Sequence, residues 1–412
     1  MTVFLLIFAV AAGFYMAWNI GANDCANAMG TVVGSGSVSL RKAIILAAIF
    51  EFAGAFLVGS SVADTIKGNI VPVESFASIQ LFSLGMLAAL LAASLWLNVA
   101  TAMGQPVSTT HAIIGAVVGF AVLANGPGCV RWSQMGGIAA SWVISPVVGA
   151  LLAYLAYACV RRFVLNSRHP VFMARRAVPV AAGLVIFIMT MSVVFRGLPK
   201  LRLDMSLPQA LLTSAAVAFV AGGAIWLNVR ANRRHVLLKH RYAVIESWFG
   251  RLQLVTACYM AFAHGANDVA NAIGPLAGAI EGLHKGTLTA KAPIPPWLLA
   301  LGGLGIVMGL ATYGYKVIES IGKRITEITP TRGFSAELGT ATTVLVCSKL
   351  GLPISTTFVI VGAVMGVGMA RGFAALDLRV IRKIFASWLV TIPISAVLSA
   401  ILFQLLRVIA GR

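Results

Sequence analysis

Two ten-residue segments of this chain, GANDCANAMG at residues 21–30 and GANDVANAIG at residues 265–274, match at eight of ten positions and set an Asn-Asp pair in otherwise apolar surroundings. A carboxylate at membrane depth is costly, so a duplicated one points to function rather than packing. A second pair follows in the same order, QPVSTT at 105–110 and LPISTT at 352–357. Two motifs, each repeated once at nearly constant offset, mean an internally duplicated chain.

With 59% hydrophobic and 10% charged residues over 412 positions, the chain cannot be arranged as one soluble core under a polar skin. It reads as an all-α polytopic membrane protein. Apolar runs long enough to cross hydrocarbon, about 20 residues each, include 43–62, 77–97, 135–159, 177–195, 209–228, 294–317 and 384–408. Residues 3–20 lack a preceding Lys or Arg and lead straight into the first motif, so they read as a retained span rather than a signal peptide. The five cysteines are scattered singly without CxxC spacing, which indicates neither a disulfide framework nor a metal cluster.

The net charge of +19 would suggest nucleic acid in a soluble protein. Here it is concentrated in the connections and reports orientation instead. Arg161, Arg162, Arg168, Arg175 and Arg176, and then Arg230, Arg233, Arg234, Lys239 and Arg241, lie in stretches without an acid, and both should face the cytoplasm. Pro199 to Asp204 then lies outside. Arg41 and Lys42, Lys323 and Arg324, and Arg371, Arg379, Arg382 and Lys383 can all lie inside as well. The topology that satisfies every cluster has about twelve crossings with both termini outside. In it the two GAND segments run in opposite senses, as do the two Ser-Thr-Thr segments. The expectation is therefore a pair of inverted repeats, residues 1–160 and 244–412, joined by a helix pair at 161–243. That is the architecture of secondary transporters, with the site near the midplane.

Gly104 and Pro106, and Gly351 and Pro353, should break a helix just before three hydroxyl residues. Each segment reads as a broken or hairpin helix at the midplane whose second half begins at the hydroxyls. Unpaired backbone N–H groups and a positive dipole end make such a start an oxyanion site. The candidate anion ligands are Ser108, Thr109 and Thr110 with Ser355, Thr356 and Thr357. The plainer reading of Ser-Thr-Thr, a simple helix cap, fits one copy better than two in inverted order.

The GAND segments supply acceptors. On helices, Asn23 and Asn27 share a face, as do Asn267 and Asn271, while Ala26, Gly30, Ala270 and Gly274 allow close approach. Asp24 and Asp268 offer hard oxygen ligands for a small cation, or acceptors for the proton of an oxyanion. An anion beside carboxylates needs a cation or proton to cancel the repulsion, which points to coupled symport. The plainer alternative has the Asn residues as helix glue and the Asp residues paired with buried basic groups, yet neither motif contains Lys or Arg.

GANDCANAMGT, HGANDVANAIGP, PVSTTH and PISTT make the chain resemble the inorganic phosphate transporter (PiT) family over nearly its whole length. The GAND form followed by GTVVGSGSVSLRKA is similar to the sodium-coupled branch. The resemblance implies sodium-driven uptake of inorganic phosphate by alternating access, with proton coupling as the alternative, and a homodimer in the lipid of the cell membrane. It implies no cofactor beyond the coupling ion, no transition metal and no nucleic-acid partner. It also brings Asp24, Asp268 and the two hydroxyl triplets into one phosphate site. The candidate sodium or coupling residues are Asn23, Asp24, Asn27, Glu51, Gln105, Asn267, Asp268, Asn271 and Glu337. Glu51 and Glu337 resemble family acids linked to transport but have no acidic counterparts in the other repeat. Glu337 alternatively starts a helix as a favourable N-terminal charge. His111, matched by Phe358, reads as structural or gating, and Trp142 and Trp388 as packing or interfacial anchors.

Three rivals are weaker. An intramembrane enzyme with Asp24 and Asp268 as a catalytic dyad would not require the Asn residues or the hydroxyl-rich helix starts. A permease for sulfate or another tetrahedral oxyanion shares the motifs. A passive channel conflicts with a two-sided clamp that binds closely. The topology has a direct test. Single cysteines at Ser167 and Arg233, in a background without native cysteines, should react with an impermeant thiol reagent only from the cytoplasmic side. Labelling from outside in right-side-out vesicles would overturn the inverted arrangement.

Overall fold

The computed structural model describes residues 2–68, 70–194, 205–231, 241–285, 294–315, 328–372 and 378–411. The regular elements among them are helical. In order they are α1 Thr2–Gly34, α2 Leu40–Val58, α3 Ser60–Gly68, α4 Ile79–Ala102, α5 Thr109–Asn125, α6 Trp132–Val160 and α7 Pro170–Val194. Then come α8 Leu207–Ala231, α9 Arg241–Lys285, α10 Pro296–Tyr313, α11 Pro330–Lys349, α12 Thr356–Arg371 and α13 Leu378–Ile409. Seven of these are long and apolar enough to cross a bilayer. In hydrocarbon every backbone polar group must be satisfied within its own segment, which is why apolar stretches of this length become helices. The protein is an integral membrane protein with an all-α, multi-spanning fold. Phe219, in the middle of α8, is 83% exposed, as a lipid-facing side chain should be.

Both GAND motifs lie inside unbroken helices, the first in α1 and the second in the 45-residue α9. The run at 43–62 is not one helix. Helix α2 ends at Val58, Gly59 intervenes and α3 begins at Ser60; a Cβ at Gly59 would collide with Val269 of α9. Arg233, Arg234, Lys239, Pro199 to Asp204, Lys323 and Arg324 lie outside the described residues, so the loop-charge reading at those positions is not addressed by the fold.

The breaks fall where Gly and Pro predict them, and the local chemistry is the same in both copies. Helix α4 closes with Gly104 at φ 65° and α11 with Gly351 at φ 69°. At the first, Gly104 N–H donates to Thr101 O at 3.0 Å and Gln105 N–H to Ala100 O at 2.9 Å; at the second, Gly351 N–H donates to Ser348 O at 3.1 Å and Leu352 N–H to Cys347 O at 3.0 Å. This double bond across a left-handed glycine satisfies carbonyls that the helix end would otherwise orphan. Proline two residues later prevents continuation. Ser108 and Ser355, both extended, then open α5 and α12 by accepting from His111 N–H at 3.1 Å and Phe358 N–H at 3.3 Å.

Packing is reciprocal between the halves. Helix α1 lies along α10 while α9 lies along α2, and α6 lies along α12 while α13 lies along α5. Glycines permit the approach: a Cβ on Gly21 would collide with the Ile306 carbonyl, and one on Gly265 with that of Glu51. Helices α1 and α9 also pack on each other, which brings the two motifs together.

A left-handed position costs an L-residue about 1–2 kcal/mol, so Gly351→Ala should lower unfolding stability by that amount. Gly137→Ala, inside α6 with open space around it, should instead raise stability by about 0.5–1 kcal/mol, the helix-interior cost of glycine. Denaturant titration of both variants in one detergent checks the contrast.

Candidate functional site

Helices α1 and α9 carry Asp24 and Asp268 into the centre, where both are at most 1% exposed. Oxygens of the two carboxylates and a nitrogen of His264 lie within 4.8 Å of one another. The starts of α5 and α12 close around this pair. Asp24 accepts from Thr109 Oγ1 at 2.8 Å and from Thr357 Oγ1 at 3.1 Å, one hydroxyl from each half of the chain. Asp268 accepts from Thr356 Oγ1 at 2.9 Å. Thr110 departs from the pattern: its hydroxyl donates to Ile354 O at 2.9 Å.

The asparagines divide into two roles. Asn27 Nδ2 crosses to Thr357 Oγ1 at 2.9 Å, and Asn271 Nδ2 to Thr110 and Thr109 Oγ1 at 3.1 and 3.2 Å, so each reaches the hydroxyls of the opposite half. Asn27 also donates to Asp24 at 3.0 Å. Asn23 and Asn267 brace the segments within their own halves, and Asn267 also donates to Asp268 Oδ1 at 2.6 Å. Asn23 donates to Gln105 O at 3.2 Å and accepts from Val107 N–H at 3.2 Å. Asn267 donates to Ile354 O at 3.0 Å and accepts from Ser348 Oγ at 3.2 Å.

Four expectations change. Gln105 touches the site only through its backbone carbonyl, and its side chain is exposed. Ser108 and Ser355 use an oxygen lone pair to cap α5 and α12, which leaves each seryl O–H as a donor, whereas the hydroxyls of Thr109, Thr356 and Thr357 already donate to the carboxylates. Glu337 does not start a helix. It lies beyond the first turn of α11, which holds no acid, and its carboxylate accepts from Thr31, from Thr256 at 2.6 Å and from Gln253 at 3.2 Å. Thr31 is one turn from Asn27, so this cluster is a neighbour of the central one.

The fourth concerns basic partners. Although neither motif contains Lys or Arg, His264 immediately precedes the second. Its Nδ1 is 3.1 Å from Glu51 Oε1, and its Nε2 is 3.1 Å from Asp268 Oδ2. The second contact is at ion-pair distance but off the line of a hydrogen bond. Glu51, His264 and Asp268 thus form one buried line. Ile20 holds the position matching His264 before the first motif; this unmatched histidine was the available signal. His111 is buried among Trp142 and Phe358, with ring centroids 3.9 and 4.4 Å away, and Trp142 and Trp388 are buried packing residues rather than interfacial anchors.

Two carboxylates this close in a water-poor centre repel strongly, and His264 is the basic side chain that attends them among the described residues. The arrangement favours added positive charge, as a small hard cation or a proton. The donor-rich starts of α5 and α12, adjacent to it, favour an oxyanion. Thr109→Val, Thr356→Val, Ser108→Ala and Ser355→Ala should each weaken anion affinity by about 1.5–3 kcal/mol, the value of a hydrogen bond to a charged group, and the two serine variants should in addition lose about 1 kcal/mol of stability as lost caps. Equilibrium binding of phosphate and unfolding titrations of the four variants separate the two effects.

The sequence from residue 20 to 399 matches the model of the phosphate transporter family. The chain is 43% identical over 402 residues to a putative phosphate permease of Haemophilus influenzae, covering 96% of this chain and 95% of that protein. It is 46% identical over 419 residues to the chloroplastic inorganic phosphate transporter 2-1 of Arabidopsis thaliana, covering 94% of this chain and 70% of that protein. A solved structure described as the sodium-dependent phosphate transporter superimposes with a TM-score of 0.91 at 40% identity, covering 98% of this chain and 99% of that one.

Proposed function

The chain belongs to the phosphate transporter family, and from that premise we propose that it moves inorganic phosphate across the membrane by secondary active, sodium-coupled symport with alternating access. The observation that carries this reading is the paired buried carboxylates, Asp24 and Asp268, held by hydroxyls from the starts of both α5 and α12. Phosphate binds at those helix starts through backbone N–H groups, the hydroxyls of Ser108 and Ser355, and the hydroxyls of Thr109, Thr110, Thr356 and Thr357 once these turn from their protein acceptors to the anion. Sodium binds among the oxygens of Asp24, Asp268, Asn27 and Asn271 and cancels the charge that would otherwise expel the anion. The two solutes therefore bind best together, which is the thermodynamic content of coupling.

The carboxylates also select the cargo. Phosphate keeps at least one proton near neutral pH and sulfate keeps none, so Asp24 or Asp268 accepts a hydrogen bond from P–OH but only repels sulfate. The name of the structural relative, which specifies sodium, favours sodium as the driving ion. The buried Glu51–His264–Asp268 line is the observation that favours the proton-coupled alternative, since a histidine between two acids can relay a proton.

The reading includes inverted repeats at 1–160 and 244–412 around the connecting pair 161–243, about twelve crossings, and both termini outside the cell membrane. The reciprocal packing of α1 on α10 and α9 on α2, and the twin helix breaks at Gly104 and Gly351, support the repeats. The homodimer rests on family resemblance.

The test is phosphate uptake into proteoliposomes with sodium and proton gradients imposed independently. Uptake should follow the sodium gradient. Asp24→Asn and Asp268→Asn keep shape but remove charge; each should lose most cation-driven uptake and discriminate less against sulfate. Normal sodium dependence and normal sulfate rejection in both variants would overturn the mechanism.

A further inference from the structure

A groove of about 890 Å³ runs between α6, α12 and α13, away from the carboxylate centre. Its floor is aromatic: Phe358 stacks on Trp388, and His111 packs against Trp142 and Phe358. Its walls are apolar and open to the side, with Val147, Leu151 and Leu389 at 62, 56 and 78% exposure. The volume is that of a site for a molecule of drug size, about 300–1,000 Å³.

Helices α6 and α12 run alongside each other in the same direction. Cβ atoms on Gly362 and Gly366 would collide successively with the carbonyls of Pro146 and Ala150. The groove therefore leads from Trp142 and Phe358 toward Tyr154 and Met369, and arginines stand at that end. Arg161 Nη1 donates to Ala370 O at 2.6 Å. Arg371 ends α12, and Arg382 lies one turn before Phe385 on the groove-facing side of α13. Residues 371–383 hold Arg371, Arg379, Arg382 and Lys383 against the one acid Asp377.

The geometry points to a binding site for an anionic phospholipid, one acyl chain in the groove and its phosphate on the rim formed by Arg161 and Arg382. Water does not wet the apolar walls at membrane depth, whereas an alkyl chain packs along them. Guanidinium groups suit a lipid phosphate by bidentate contact and attract anionic headgroups. A second copy of the chain is the poorer occupant, because a symmetric contact across this groove would bring two arginine rims together. The floor gives the site a route to transport: His111 and Phe358 directly follow Thr110 and Thr357, so an acyl chain there bears on both helix starts.

The experiment is native mass spectrometry of the purified full chain, offered equimolar phosphatidylglycerol and phosphatidylcholine. Phosphatidylglycerol should be retained in preference, by about fivefold for each engaged arginine. Arg161→Gln with Arg382→Gln should lower that preference by a similar factor for each residue removed, and Val147→Phe with Leu389→Phe should lower retention of both lipids. Equal retention by the parent protein, or an unchanged preference in the arginine variant, would sink the proposal. So would cross-linking of Leu389→Cys between copies without retained lipid, which would assign the groove to a second copy. Because the readout is lipid retention, failure here leaves the phosphate reading standing, and failure of uptake leaves this one standing.

Discussion

The rest of the molecule is organised by the repulsion between Asp24 and Asp268. Two carboxylates buried in a centre with His264 for company cannot be stable unless donors surround them and a positive charge joins them. The surrounding helices meet that demand in a particular way. Hydroxyls from α5 and α12 donate to the acids, and amides from α1 and α9 hold those hydroxyls in turn. What remains unmet is positive charge, and that is what ties cation binding to anion binding.

The helix breaks make this possible. A continuous helix would spend its N–H groups internally and bring only side chains to the centre. By stopping at Gly104 and Gly351 and restarting at Ser108 and Ser355, the chain brings two fresh helix starts to the same point. The seryl oxygens hold the starts in place, and threonines beyond them meet the carboxylates. Symmetry ends there. His264 with Glu51 attends Asp268, and Glu337 with its three partners lies beside Thr31, so nearly equivalent halves carry unequal charge. A transporter that must bind from one side and release to the other gains from that inequality.

Membrane class, the two repeated motif pairs and the helix breaks were legible in the residues. Each follows from rules that act over a few positions. Hydrocarbon forces apolar runs into helices, a left-handed turn selects Gly, Pro stops a helix, and Ser opens one. The same local rules could not divide labour among the hydroxyls, because Ser108 and Thr109 are neighbours with similar chemistry and differ only in where the backbone aims them. Gln105 likewise belongs to the motif yet turns its side chain outward.

What the tertiary structure alone decided is which residues meet across the chain. Thr109 reaches Asp24 over 85 positions and Thr357 reaches it over 333. His264 finds Glu51 over 213, and Glu337 finds Thr31 over 306. Contacts at such separations depend on how closely whole helices approach, which glycines at positions such as Gly21 and Gly265 permit but no local pattern specifies. The amino-acid sequence by itself determined the two half-sites and their chemistry; their closure into one centre, with His264 and Glu51 on one side and Glu337 on the other, was decided by packing.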